Sequence, residues 1–596
     1  MWWHDEEEFV TEEEPSKHKK DISLIKRLFP FFRPYIGKIV IAASLLLFST
    51  LLTLLGPLLI KHTIDYILPA KNLRSLLLIA LCYLLIQIIV VLVRYFQQFQ
   101  IAIIGERAIA DLKNKVFNHI IRLPVEFFDK NPTGRLITRV EGDAETLKNL
   151  FSSTAVMLIQ NFTLLLGMSI IMLITSAQLY LLIAVMLPIF LYAFWWFGKH
   201  VRPVYLNLRR KIAEINSLIM ECIRSLGVIQ VFVQEENFLN KLNRMGKEKF
   251  DLEMKSMNYW YRVWFLVELG EIIGIILVLG IGGIWALKGA LSIGTIFLFI
   301  SYITRLFEPL RGLSEQINLI ERAFASSERI FGILGMNTEL NEIERCELKT
   351  ITREIRFNNL NFAYEDNDWV LKDIDFVIKK GEKVALVGET GGGKTSIISL
   401  LLKLYEPQKG KIFIDDIETN KINRHSLRSR ISLVPQDVVL FPGSILDNLR
   451  LFNKDIEPGQ VYESAKRARI HELISSLPSG YDTNLVEQGI NLSFGERQLI
   501  SFARALVFNP ELVILDEATS SVDPESERLI QEGMKELLKG RTAVIIAHRL
   551  TTTRLADRVI VIHKGKVIEQ GTHRELISGK GFYYNLYRLQ YLEQKK

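Results

Sequence analysis

Five residues of strand character, Lys383-Val384-Ala385-Leu386-Val387, run straight into Gly388-Glu389-Thr390-Gly391-Gly392-Gly393-Lys394-Thr395, and an apolar helix begins at Ser396. The spacing is G-x-x-x-x-G-K-[ST] in the strand, loop and helix setting that gives it meaning. Glycines let backbone N–H groups and a helix N-terminus point at phosphate oxygens. Lys394 adds charge at the β- and γ-phosphates, and the Thr395 hydroxyl is suited to Mg2+. The loop and the first helical residues, Gly388 to Ser396, are therefore expected to hold a nucleoside triphosphate. A second apolar strand, Leu512-Val513-Ile514-Leu515, ends in Asp516-Glu517. Nucleotide-binding sheets place metal and water at the carboxyl end of such a strand, so Asp516 suits Mg2+ and Glu517 the attacking water. A third strand, Thr542–Ala547, ends at His548, where an imidazole can sense or polarise the γ-phosphate.

Such residues need a soluble α/β scaffold, and 350–596 has its character, with short apolar strands among charge and Gly/Pro punctuation. The first half differs: long apolar runs crowd 39–310, and a chain of 596 residues exceeds one ordinary core. The expected division is 1–38, a cytosolic tail and membrane-surface helix; 39–330, a membrane domain; 331–353, a linker; and 354–596, the nucleotide domain. Four uncharged runs read as spans, Ile39–Ile60, Ser75–Val93, Thr154–Ser176 and Gln178–Gly198. A fifth, about Val263–Trp285, carries Glu268 and Glu271, and a sixth, about Leu291–Leu310, carries Arg305 and Glu308.

Links after the first, third and fifth spans are short, and those after the second and fourth run to roughly sixty residues, so the two kinds belong on opposite sides. The segments 15–38, 94–153 and 199–258 hold 27 Lys and Arg against 4 in the short links, which puts the long segments and both termini in the cytosol. Helical periodicity within them predicts hairpins projecting below the membrane. At the tip of the first, Pro132 and Gly134 are expected to break the helix, and Phe127 and Phe128 offer a docking surface. Glu268 and Glu271 share a helical face at about the depth of Arg305, so a pair of Arg305 with either acid is expected to border an interior cavity.

The net charge of +7 could suit nucleic acid, but the first half's cations gather beside the spans, which a bilayer explains more simply. Three separated cysteines give neither a disulfide framework nor a zinc site. The start, Met1-Trp2-Trp3-His4-Asp5, lacks the cationic region and short apolar core of a signal peptide, so no cleavage is expected.

With Leu492-Ser493-Phe494-Gly495-Glu496-Arg497-Gln498 preceding Asp516-Glu517, the soluble half closely resembles the nucleotide-binding domain of ATP-binding cassette (ABC) transporters. Phe128–Arg135 looks like the first cytoplasmic coupling region of exporter-type half-transporters, and the resemblance spans essentially the whole chain. It implies a polytopic α-helical membrane domain of six transmembrane helices fused to an α/β P-loop ABC domain, using ATP with Mg2+. It implies that Tyr364 stacks on adenine, that Gln436 joins Mg2+ to the membrane domain, and that Ser521 and Asp523 belong to a dimer-facing loop. Ser493 and Gly495 would face the γ-phosphate held by a partner half-transporter, so one chain cannot complete a site. Phe494 and Glu496 depart from the usual Leu-Ser-Gly-Gly-Gln. With Glu517 and His548 intact, the pattern resembles the catalytically competent half of a heterodimeric multidrug exporter in the plasma membrane, a homodimer being the alternative. Drugs, lipids or peptides all suit as cargo. Homodimeric lipid flipping, or an ATP-gated channel or regulator without uphill transport, are the rival readings.

Overall fold

The computed structural model describes residues 22–307, 313–339, 345–365, 368–486, 489, 491–516, 524–547 and 552–593. These form two compact units: the chain up to Ile121 with Thr133–Met336, and Arg122–Pro132 with Asn337 onwards.

The first unit is helical. Phe29–Ile67, Leu73–Ile120, Thr133–Thr175 and Glu235–Leu287 are each long and apolar enough to cross a membrane. They contain the first, second and fifth expected spans, and the third except for Ser176, which ends the helix in an extended conformation. The fourth is interrupted, as Ala177–Ala184 and Leu187–Arg224. Pro188 lacks an N–H and its ring crowds the carbonyl four residues back, at the end of the shorter helix. The sixth is Ile293–Leu306, and the expected end at Leu310 lies outside the described residues.

Leu73–Ile120 has 48 residues, about 72 Å of helix against a hydrocarbon core of about 30 Å, so it continues far beyond the apolar layer. Leu77, Leu81, Leu84 and Ile88 are exposed along one stripe of it, as a lipid-facing helix requires. Leu187–Arg224 and Glu235–Leu277 pack side by side. In their charged halves Lys211 bonds Glu214 at 2.6 Å and Glu248 at 2.9 Å.

Inside, Leu54, Met168, Met172, Leu179, Val267 and Phe299 form one apolar cluster. Buried Tyr302 donates to Leu54 O at 2.7 Å, tying the first helix to the sixth. At the short-link end Asp65 accepts from Ser292 Oγ at 2.6 Å and Gly294 N at 2.7 Å, capping the helix Ile293–Leu306. At the opposite end buried Asp143 receives Arg329 Nε at 2.8 Å and Ser326 Oγ at 2.8 Å.

The expected pairing of Glu268 with Arg305 is not formed. Both are exposed, and among the described residues no ion pair joins them. Val263, Val267, Gly270 and Gly274 make the packed stripe of their helix, and Glu268 falls beside that stripe rather than on it. Equal depth in the membrane did not bring a common face. Glu271 is half-buried.

Among its described residues the second unit holds twelve strands: β1 Glu354–Ala363, β2 Trp369–Lys379, β3 Lys383–Val387, β4 Lys409–Ile414, β5 Ile417–Glu418, β6 Ile431–Val434, β7 Gly443–Ser444, β8 Asn484–Leu485, β9 Leu512–Asp516, β10 Thr542–Ile546, β11 Arg558–His563 and β12 Lys566–Gly571. An antiparallel sheet runs β2-β1-β4-β5, and a larger one β12-β11-β3-β10-β9-β6, parallel except at β12. β3, β9 and β10 are almost wholly buried Val, Ile, Leu and Ala, as strands covered on both faces must be. Arg122–Pro132 belongs here with its short helix Val125–Lys130. Pro132 follows the break as expected, whereas Gly134 lies within the next helix, Thr133–Thr138. Proline suits the position just before that helix, where the backbone N–H has no helical partner to lose, and one glycine costs a helix only about 1 kcal/mol.

Candidate functional site

Parallel register brings four strand ends to one sheet edge. Leu386 of β3 lies beside Ile546 of β10, Ile546 beside Asp516 of β9, and Leu515 beside Val434 of β6. The loop from Gly388, the Asp516 carboxylate, Gln436 just past β6, and Ala547 therefore leave the sheet at the same edge, the place where α/β folds bind ligands. Glu517, Ser521, Asp523 and His548 lie outside the described residues.

The loop is tightly built. Gly393 has φ +98°, reserved in practice for glycine, and a Cβ at Gly388 would stand 2.0 Å from Ile562 O. Lys394 is buried and donates from Nζ to Gly388 O and Glu389 O, both at 2.8 Å. Burial pushes its ammonium below the usual lysine range, and the nearby Asp516 charge works in the opposite direction. A desolvated, pre-aimed cation of this kind would meet phosphate oxygens strongly, since little water has to be displaced. Thr395, in the first turn of Lys394–Leu401, is exposed, as are Glu389, Thr390 and Gly391, while Gly392 and Ser396 are buried.

Tyr364 donates from its hydroxyl to Ser396 Oγ at 3.1 Å. Its ring stands edge-on to Phe362 at 4.7 Å and Tyr405 at 5.0 Å, and at 42% exposure it still offers surface for a flat heterocycle. Tyr405, on which the sequence reading was silent, donates to Asp129 Oδ2 of the Phe127–Asp129 segment. Burial and that bond push its phenol well above the ordinary range, so it remains a donor. Glu339, whose N–H donates to Arg122 O at 2.9 Å, receives Arg428 at 2.8 Å and Arg424 at 3.1 Å, fixing the other end of the same segment. Isolated Tyr and Arg residues carry no spacing signal, so these contacts were invisible in one sequence.

Ser493 caps the helix Phe494–Val507. Its Oγ accepts from Glu496 N at 3.3 Å, while Glu496 Oε2 accepts from Ser493 N at 2.7 Å, a closed capping box. Ser493 is exposed, Phe494 and Glu496 half-buried and Gly495 buried. Among the described residues no hydrogen bond or ion pair joins these four to the loop 388–396. Gln436 is exposed beyond β6.

A phosphate-cradling sheet edge, carried on one chain with membrane-length helices, defines a membrane protein with a nucleotide-hydrolysing domain. Residues 39–310 match the family described as the ABC transporter transmembrane region, and residues 371–520 the one described as ABC transporter. An ATP-dependent lipid A-core flippase of Syntrophus aciditrophicus (strain SB) is 33% identical over 96% of this chain and 96% of its own. A protein of Bacillus subtilis (strain 168) named as a probable multidrug resistance ABC transporter ATP-binding/permease protein is 32% identical over 83% of this chain and 74% of its own. The structure of a bacterial Atm1-family ABC exporter with ATP bound is similar at TM-score 0.75 and 25% identity, over 93% of this chain and 98% of that one. The chain belongs to the ABC transporter family, as an exporter-type, multi-pass half-transporter with an ATP-hydrolysing domain.

Proposed function

We propose that this chain is the catalytically competent half of a heterodimeric exporter that uses ATP to move hydrophobic or amphipathic compounds out across the plasma membrane. The observation that carries the heterodimer reading is the capping box. It holds the Glu496 carboxylate on the Ser493 N–H, at the helix N-terminus that would face the partner's γ-phosphate. A helix N-terminus attracts phosphate, and a fixed carboxylate there opposes it. The partner's site is thereby weakened, while this chain's own P-loop site receives an ordinary signature from the partner.

In that site Gly388 to Ser396 and Lys394 bind the phosphates, Tyr364 stacks on adenine, Glu517 orients the attacking water and His548 meets the γ-phosphate. Ser521 and Asp523 face the partner. Thr395, Asp516 and Gln436 offer hydroxyl, carboxylate and amide oxygens, a hard donor set that fits Mg2+. Bound there, the ion would compensate phosphate charge. Both termini and the nucleotide domain lie in the cytoplasm, supported by the 27 against 4 imbalance of Lys and Arg. Glu268, Glu271 and Arg305 remain candidates for lining the cavity.

Purified alone in lipid discs, the chain is expected to bind ATP but hydrolyse it poorly, and to gain activity with a partner half-transporter. Hydrolysis by the lone chain that disappears in Glu517→Gln would instead identify a homodimer. The flippase relative favours that second reading, homodimeric lipid flipping, and uphill flux of labelled lipid in proteoliposomes would support it.

A further inference from the structure

The chain enters the nucleotide unit from the helical one at Ile121–Arg122 and again at Met336–Asn337. Glu339 N donates to Arg122 O at 2.9 Å, which joins the two crossings within three residues of where each enters. The Glu339 carboxylate meets the short helix Arg424–Arg428, whose two arginines, four residues apart, share one helical face. Arg428 Nη1 donates to Glu339 Oε2 at 2.8 Å and its Nη2 to Oε1 at 3.3 Å, a two-pronged pair, while Arg424 Nη1 stands 3.1 Å from Oε1 and its Nη2 3.4 Å from Glu406. The Glu339 side chain is 17% exposed and that of Arg428 33%, so salt screens the pair less than it would an exposed one.

Arg428 has a second set of contacts. Its Nε donates to Leu402 O and its Nη2 to Lys403 O, both at 3.0 Å. Those carbonyls lie at the end of the helix Lys394–Leu401, where a helix leaves oxygens without partners and attracts positive charge. Buried Lys403 adds a tie in the other direction, donating from Nζ to Ile422 O at 2.9 Å just before Arg424–Arg428. One guanidinium therefore spans the carboxylate at the crossings and the far end of the helix that begins with Lys394. That helix is about 12 Å long, short enough to move as one piece.

We propose that Arg428 is a positioning residue for ATP hydrolysis, and that Glu339 makes its hold on the phosphate-loop helix responsive to the two chain crossings. Resting on the reading of Gly388–Ser396 as the phosphate-binding loop, this role extends to side chains at the opposite end of the loop's own helix. A shift of Glu339 moves Arg428, the two carbonyls it holds, and with them Lys394. Linkage is reciprocal, so phosphate held at Lys394 steadies the Glu339 N–H on Arg122 O.

The test follows steady-state ATP hydrolysis and hydrogen exchange of the peptide carrying Glu339, with and without Mg2+ and a non-hydrolysable ATP analogue, in the assembled full-length transporter in lipid discs. Arg428→Lys leaves a single ammonium that cannot serve two carboxylate oxygens and two carbonyls at once. Glu339→Gln keeps the side chain's shape but leaves Arg424 and Arg428 without the carboxylate between them, a destabilising change in itself. Glu339→Gln/Arg424→Gln relieves that excess charge and still lacks the carboxylate. In the parent the analogue is expected to slow exchange of the Glu339 amide severalfold. Arg428→Lys and the double variant should abolish the slowing and lower kcat roughly tenfold, the double variant melting like the parent. No slowing in the parent, slowing that persists in Arg428→Lys, or parental kcat in the double variant overturns the proposal. A lower melting temperature with kcat and nucleotide-dependent exchange unchanged marks a merely structural bond and overturns it too. Full hydrolysis in Lys394→Ala would instead overturn the reading of the phosphate loop and with it the premise.

Discussion

Glu496 shows how one side chain can satisfy its own helix while altering a neighbour's chemistry. Its carboxylate on the Ser493 N–H at 2.7 Å satisfies one of the helix's orphan amides, a local gain of about 1 kcal/mol. The same geometry fixes a negative charge where the family resemblance puts a partner's γ-phosphate. Glu496→Gln keeps a side-chain acceptor for Ser493 N and removes the charge. We expect it to raise ATP turnover of the assembled transporter severalfold, with little change in melting temperature. Unchanged turnover would mean that the carboxylate does not face phosphate. The pattern S-x-x-E is readable in the sequence as a capping box as well as a departure from the family motif. Only the folded structure shows both halves of the box closed at once.

At the level of elements, the helix Val125–Lys130 and Tyr405, in the loop that follows the P-loop helix, form a short mechanical path. Tyr405 touches Tyr364, which bonds Ser396 at the P-loop, and on its other side bonds Asp129. Asp129 is exposed, so the bond contributes only about 0.5–1 kcal/mol. Its importance lies in direction, since it links the expected adenine side to the segment inserted from the membrane half of the sequence. In Tyr405→Phe we expect basal ATP hydrolysis to survive and the ratio of substrate transported to ATP hydrolysed to fall severalfold, measured by parallel flux and phosphate release. An unchanged ratio would remove Tyr405 from the path. The aromatic tip was legible as a docking surface because Pro132 and two phenylalanines mark it. Its partner was not, because Tyr405 follows an ordinary apolar helix with no motif around it.

For the molecule as a whole, acid sensitivity is expected to follow from His573. Burial, then Arg554 and Arg574, lowers its pKa from 6.5, so the unfolded chain takes up a proton before the folded one does. Stability is therefore highest above 6.5 and declines as pH falls from there toward the folded-state value, the unfolded form binding more protons throughout that window. Thermal melts across mildly acidic to neutral pH should show this slope, and His573→Gln should flatten it. A slope that persists in His573→Gln would assign the sensitivity to another group.

The sequence by itself determined the motifs whose function depends on local spacing: the P-loop from Gly388 to Thr395, the strand ending at Asp516, and the apolar runs long enough for a bilayer. These are legible because their physics is local. Glycine φ angles, strand periodicity and transfer free energy act over a few to twenty residues. Tertiary structure decided what depends on registers and faces. It set the strand ends at one edge, closed the capping box of Glu496, left Glu268 apart from Arg305 although their depths agree, and placed Asp129 on Tyr405 across 276 residues. It also broke the fourth span before Pro188. Side-chain direction around a helix, unlike depth along it, is fixed by packing against neighbours, and a single sequence does not name those neighbours.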